Sequence, residues 1–283
     1  MAERILIAGC GDLGERVAYL LLAQGDEVHA LRRHPPGEAG GIRWLAADLA
    51  GPETLVALPE GITRLIFLPA PDARQADIYR AVFLDGLRNV LDALDTASLQ
   101  RVLFVSSSAV YGEHGEEWVD EATPPAPLGF NGRILREAEL ALQDDYPCDS
   151  IVLRLAGLYG PGRLQLIDRL RAGQVSAPRQ TRHWANRIHV DDAAAAIVHL
   201  LTLRDHQALY VGADDTPLPL DVLYDGLAAM VGAPKVADGS APAGVGSKRL
   251  SNARLKASGF RFRWPDTLKG YAALLDNGAS SAD

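Results

Sequence analysis

The feature that most constrains this chain is the run Gly9-Cys10-Gly11-Asp12-Leu13-Gly14, which directly follows the apolar stretch Arg4–Ala8. Glycines at that spacing answer three needs. Gly9 allows a tight turn out of a strand. Gly11 lets backbone approach a diphosphate that any Cβ would obstruct. Gly14 permits close packing of the next helix on the strand. A helix over Leu13–Ala23 then offers its free N–H groups and the positive end of its dipole to that diphosphate, with Asp12 and Leu13 at its tip. The motif is weak alone, but a position after a strand and before a helix is the context in which it binds dinucleotides.

Further strands are predicted over Glu27–Leu31, Arg43–Ala46, Arg64–Leu68, Arg101–Ser106 and Ser150–Leu155. They are rich in Val, Ile and Leu with little alternation, as expected of strands covered on both faces. Helical spacing marks Tyr79–Leu94 and Arg133–Leu142. The alternation implies an α/β, doubly wound parallel sheet of the Rossmann type. Beyond Gly162 the pattern changes. A polar stretch, Pro178 to Arg187, precedes a helix capped by Asp191 and a strand over Leu209–Val211. Helices over Leu220–Met230 and Asp266–Leu275 flank the Gly/Ala/Pro-rich loop Asp238–Gly246, and Asn277–Asp283 reads as a frayed tail. The expected organisation is an NADP(H)-binding domain over 1–165 and a smaller C-terminal substrate lobe over 166–283, with 188–213 returning to the first domain.

The cofactor preference comes from the end of the second strand, Leu31-Arg32-Arg33. A site for NAD usually places an acid about 20 residues past the glycines, on the ribose 2′-OH. Here Arg32 stands at that place, beside Arg33. A guanidinium holds a 2′-phosphate that a carboxylate would repel, which favours NADP(H) over NAD(H). Solvated surface charge is the competing account of both arginines. Asp48 and Leu49 are placed to meet the adenine, with a turn cap as the alternative for Asp48. Leu68-Pro69-Ala70 should line the middle of the cofactor, and Ser106 and Leu155, ending later strands, complete the expected set.

The net charge of -8, from 28 Lys and Arg against 36 Asp and Glu, argues against a nucleic-acid partner. Cys10 and Cys148 form neither a metal-type spacing nor a disulfide framework, and the seven histidines show no ligand pairing, so no metal is expected. No apolar run reaches the length of a membrane span, and the opening one is too short for a secretory signal. The expectation is a cytoplasmic protein with no membrane partner.

Three later segments carry a resemblance. These are Phe104-Val105-Ser106-Ser107-Ser108-Ala109-Val110-Tyr111-Gly112, Leu153-Arg154-Leu155-Ala156-Gly157-Leu158-Tyr159-Gly160-Pro161-Gly162, and Arg187-Ile188-His189-Val190-Asp191-Asp192. Together with the glycine loop, they make the chain resemble the extended, epimerase/dehydratase-like form of the short-chain dehydrogenase/reductase superfamily. The resemblance implies that Ser107, four residues before Tyr111, polarises the substrate oxygen. It also implies a Tyr-x-x-x-Lys acid/base dyad on the next long helix. Anchored on Ala138-Glu139, the Tyr position is Asn131 and the Lys position is Leu135. Asn131 does not titrate and Leu135 carries no charge, so the chain resembles the atypical groups that lack the dyad.

Two expectations follow. In one, another group supplies the proton, with Tyr111, Tyr159, Glu113, His114 and His189 as candidates, and Arg133 as a cation near the missing Lys. In the other, the chain is a non-catalytic NADP(H)-binding sensor or regulator. For the enzyme, the resemblance implies an NADP(H)-dependent oxidoreductase, epimerase or dehydratase on a small hydroxyl, carbonyl or sugar-nucleotide substrate. Arg163, Arg182, Arg187, Lys248 and Arg249 fall in segments the family uses around its substrate, as do His183, Trp184 and Asn186. Such a set suits an anionic ligand, with ordinary surface arginine as the alternative. Tyr79–Leu94 and Arg133–Leu142 offer a homodimer contact across a two-fold axis, as in many relatives.

Overall fold

The computed structural model describes residues 2–37, 40–146 and 149–279. Cys148 and residues 280–283 of the predicted tail lie outside the described residues. Strands β1 (Arg4–Ala8), β2 (Glu27–Arg32), β3 (Arg43–Ala46), β4 (Arg64–Phe67), β5 (Arg101–Ser107), β6 (Ser150–Leu155) and β7 (Leu209–Gly212) form one seven-stranded parallel sheet in the order β7-β6-β5-β4-β1-β2-β3. The registers Ala8↔Leu31, Ala8↔Phe67 and Arg32↔Ala46 bring the carboxyl ends of β1 to β4 to one edge. The chain runs outward from β1 through β2 to β3, then returns to β4 on the other side of β1. That reversal is the switch point at which open α/β sheets bind ligands.

Apolar continuity explains the sheet. Leu6, Ile7, Leu65, Ile66, Val102, Leu103 and Phe104 are fully buried. Each such side chain contributes roughly 1.5–3 kcal/mol of transfer free energy. Helix α1 (Asp12–Ala23) buries Leu13, Gly14, Val17, Ala18 and Leu21 along one stripe. It ends at Gln24, followed by Gly25 at φ 89.

The helix predicted over Tyr79–Leu94 is instead three pieces. Ala76–Tyr79 and Gly86–Ala93 are α-helical, and the turn between them, Arg80–Asp85, is π-helical. A π turn shifts the hydrogen-bonding by one residue, which apolar spacing does not reveal. The long helix Phe130–Asp145 packs against this run, and Arg80 reaches its Glu137 with bonds of 2.9 and 2.6 Å.

The chain packs as two compact units. The first comprises Met1–Val110, Phe130–Arg154 and Ala194–Tyr210, and the second Tyr111–Gly129, Leu155–Ala193 and Val211–Asp283. The second has its own core, where the helices Gln165–Arg171, Leu220–Met230 and Thr267–Ala279 bury Ile167, Leu170, Leu223, Leu227 and Tyr271. Tyr159 and Tyr271 stack there with ring centroids 4.5 Å apart. Gly270 permits the stack, since a Cβ on it would lie 2.1 Å from the Tyr159 hydroxyl. Among the described residues no helix is long and apolar enough to cross a membrane.

Candidate functional site

At the switch point of the first unit lies a cavity of about 260 Å³. The loops leaving β1, β2, β3 and β4 build it through Gly9, Cys10, Gly11, Arg32, Arg33, Asp48, Leu49, Pro69 and Ala70. The amides of Gly9 and Cys10 both donate to the Leu31 carbonyl, at 3.2 and 2.9 Å, which pins the glycine turn to β2. Gly9 has φ 89, and a Cβ there would fall 2.4 Å from the Pro69 Cα. Gly11 differs, because nothing lies within 4 Å of where its Cβ would be. The protein leaves open the space the diphosphate reading requires. A Cβ on Gly14 would lie 3.0 Å from the Cys10 Sγ, closer than ordinary van der Waals contact, so the absence of a side chain lets helix and turn pack tightly. Burial pushes the Cys10 thiol up to about 12, so it is an unreactive packing group.

Both arginines border the cavity, and each already has an acidic partner. Arg32 Nη1 donates to Glu15 at 2.8 Å, and Arg33 holds Asp72 bidentately at 2.5 and 2.6 Å. The Arg33 guanidinium keeps the Asp72 carboxyl below its ordinary range. Asp48 takes the turn-cap role weighed for it, its Oδ1 accepting the Ala50 amide at 3.0 Å, and also borders the cavity. Asp12 pairs with Arg16 at 3.1 Å. Leu13, Leu68, Ser106 and Leu155 are buried, and none of them lines this cavity.

Near the end of β5 the structure holds a network not anticipated from the sequence. Ser106 Oγ donates to Glu139 Oε1 at 2.6 Å, and Arg154 meets the same carboxylate at 3.0 Å from Nε and 2.6 Å from Nη2. Arg136 adds a bond of 3.0 Å from the helix side. The Glu139 and Arg154 side chains are 1% and 2% exposed. The available signal was Arg154 itself, a charge within the apolar strand Ser150–Leu155, which demands a buried partner. Asn131, Leu135 and Glu139 follow at four-residue intervals and so share one helix face. Leu135 is buried in the core at 3% exposure. Ser107, the last residue of β5, is half-buried, and its Oγ accepts the Ala109 amide at 3.2 Å.

Of the remaining candidates, Arg133 lies in the first unit and the others in the second. Tyr111 is buried and donates its hydroxyl to the Asp120 carbonyl at 2.8 Å. Tyr159 is buried, which pushes its phenol far above the ordinary range. His189 packs against the rings of Tyr159 and Trp264, and its Nδ1 accepts the Asp191 amide at 3.1 Å. That corrects one expectation. His189 precedes the helix Val190–Thr202 and caps its first turn, whereas Asp191 lies inside that turn. Arg163 is half-buried, and Arg182 is exposed with Glu116 at 3.3 Å. Arg187 donates to the Asn186 carbonyl at 3.2 Å and contacts Tyr271. The Arg249 guanidinium lies between the rings of Trp118 and Trp184, at 4.9 and 5.1 Å. Among the described residues no group of three His, Cys, Asp or Glu side chains is placed to hold a metal ion.

Residues 5–212 match the model of the NAD dependent epimerase/dehydratase family. The chain belongs to that family. The resemblance read from its motifs is thereby established, and so is the parallel Rossmann-like sheet. The protein YeeZ of Escherichia coli (strain K12) is 30% identical over 278 residues, covering 94% of this chain and 98% of that protein. The 2-alkyl-3-oxoalkanoate reductase of Stenotrophomonas maltophilia (strain K279a) is 26% identical over 82% of this chain and 77% of its own length. A solved structure from Methylobacillus flagellatus, assigned as an NAD-dependent epimerase/dehydratase, superposes with a TM-score of 0.81. It is 41% identical and covers 99% of this chain and 100% of that one.

Proposed function

We propose that this epimerase/dehydratase family member is an NADP(H)-dependent oxidoreductase acting on a carbonyl or hydroxyl of a small anionic substrate. The carrying observation is the pair Arg32 and Arg33 on the cavity wall, where an NAD site would place an acid. Arg32 shares its guanidinium with Glu15, so a 2′-phosphate competes with that carboxylate for the same donors. The reductase from Stenotrophomonas maltophilia, whose name describes a 3-oxo acid, supports the carbonyl chemistry and the anionic group. When bound, the cofactor supplies or accepts hydride. Ser107 orients the reacting oxygen through its hydroxyl.

Titration of protein with NADPH and NADH, followed by cofactor fluorescence, tests the preference. Arg32→Asp is expected to weaken NADPH binding about 10- to 100-fold, the loss of charge-assisted bonds, with little change for NADH. Equal losses for both cofactors would refute the assignment. Turnover is then sought across 3-oxo acids, simple ketones and sugar nucleotides. Where turnover is found, Ser107→Ala is expected to lower kcat by roughly 100-fold or more with cofactor affinity retained. Unchanged kcat removes Ser107 from the mechanism.

A second reading rests on one observation. Where the resemblance would place the family's acid/base dyad, the chain has Asn131 and the buried Leu135. A non-catalytic NADP(H) sensor needs no dyad. Tight NADPH binding without turnover on any member of the panel would select it.

A further inference from the structure

In the second unit, several buried side-chain nitrogens have hydrogen-bonding capacity unspent. Lys248 is 5% exposed, and its Nζ donates one bond, to the Gly246 carbonyl at 3.0 Å. An ammonium has three N–H donors, and among the described residues no carboxylate lies within ion-pair distance of this one. His183 is 6% exposed, and the positive charge of Lys248 acts on its ring. His114 Nε2 is buried without a hydrogen-bond partner.

Hydrogen bonds through Ser247 lace together the segments that carry these groups. The His114 amide donates to the Ser247 carbonyl at 2.8 Å, and the Ser247 amide donates to the Glu113 carboxylate at 2.7 Å. The Trp184 amide donates to Ser247 Oγ at 3.1 Å, which adds the segment holding His183. Gly246 makes the approach possible, because a Cβ on it would fall 2.3 Å from the Gly112 carbonyl oxygen. Glu113 does not neutralise the lysine at contact. One of its oxygens takes the Ser247 amide and the other the Gly115 amide at 2.9 Å. Burial pushes the Lys248 amine down to about 8, against the pull of Glu113, so it remains mostly protonated at pH 7. A buried cation without a counter-charge at contact is costly, and groups held in that condition cluster at functional sites.

We propose that Lys248, with His183 and His114, forms an oxyanion-binding site that receives the carboxylate or phosphate group of the substrate. The inference rests on the reading of the protein as acting on an anionic substrate, and it assigns the anion to a buried lysine in place of the more exposed arginines.

The test uses the whole chain without cofactor. Thermal unfolding is followed at constant ionic strength while potassium chloride is replaced by potassium acetate or by inorganic phosphate. At saturation the wild-type midpoint is expected to rise by roughly 2–4 °C with at least one of the two anions. Acetate alone marks a carboxylate site, and phosphate alone a phosphate site. Lys248→Met keeps the stem, removes the charge, and is expected to abolish the shift while NADPH titration is unchanged. An undiminished shift in the variant, or no shift in the wild type with either anion, overturns the proposal. Should the variant not fold, the wild-type shift serves on its own. It must be present at pH 7 and gone by pH 9.5 as Lys248 loses its proton. The other titratable groups around it are Glu113, His114 and His183, and burial holds the His183 imidazole below its ordinary value. Persistence at pH 9.5 also overturns the site. Failure of the wild type to bind NADPH would instead refute the cofactor assignment, whatever the anion result.

Discussion

Replacing Glu139 by leucine is expected to remove about 3–5 kcal/mol of unfolding free energy, because it leaves Arg154 as a buried cation without its carboxylate. Glu139 accepts from Ser106, Arg154 and Arg136, and both members of the central pair are essentially out of water. Leucine fills the volume but satisfies none of those donors. The same physics makes the double variant informative. Glu139→Leu with Arg154→Met removes both charges and is expected to recover most of the loss, since apolar replacements of buried pairs are often neutral or stabilising. Urea unfolding of the cofactor-free protein gives the three differences, and the coupling follows from the cycle. A single Glu139→Leu variant within about 1 kcal/mol of wild type would mean that water reaches Arg154 and that the network is not a buried ion pair.

Gly9→Ala and Gly11→Ala are expected to fail in different ways, although each adds one methyl to the same loop. At Gly9 the new Cβ meets Pro69 backbone at 2.4 Å, and the φ of 89 is one that alanine adopts only under strain. Strand β1 and the loop after β4 must move apart, and the loss is expected to be roughly 2–4 kcal/mol of stability, with cofactor binding abolished. At Gly11 the Cβ meets no protein atom within 4 Å. That variant should unfold like wild type and bind NADPH at least tenfold more weakly, because the methyl occupies the space meant for the diphosphate. Thermal unfolding and cofactor fluorescence on the two variants separate a structural glycine from a ligand-facing one. Normal NADPH affinity in Gly11→Ala would place the diphosphate elsewhere.

Much of the first unit was legible because its signals are local. The apolar run Arg4–Ala8, the glycine spacing after it and the stripe Leu13, Val17, Leu21 lie within 20 residues of one another. Strand bounds read from such runs agree with the structure at Arg4–Ala8, Arg43–Ala46 and Ser150–Leu155, and differ by one residue at Glu27–Arg32, Arg64–Phe67 and Arg101–Ser107. The helix Gln165–Arg171, barely two turns long, was not read from the sequence, because so short a span shows little periodicity. The π turn escaped for another reason. Its buried positions, Phe83 and Leu84, satisfy an ordinary helical pattern, and only the backbone bonding distinguishes it.

The amino-acid order by itself determined a parallel sheet with a glycine turn at its leading strand and a pair of arginines after its second strand. Each of these is a residue type at a spacing, and covalent neighbours carry that information. Only the tertiary structure decided that Arg32 leans on Glu15, that His189 caps the helix expected to be capped by Asp191, that Arg154 finds Glu139, and that Lys248 is buried without a carboxylate at contact. Those outcomes depend on which groups share a volume after folding. Desolvation and ion pairing act through distance in space, which residue number does not encode.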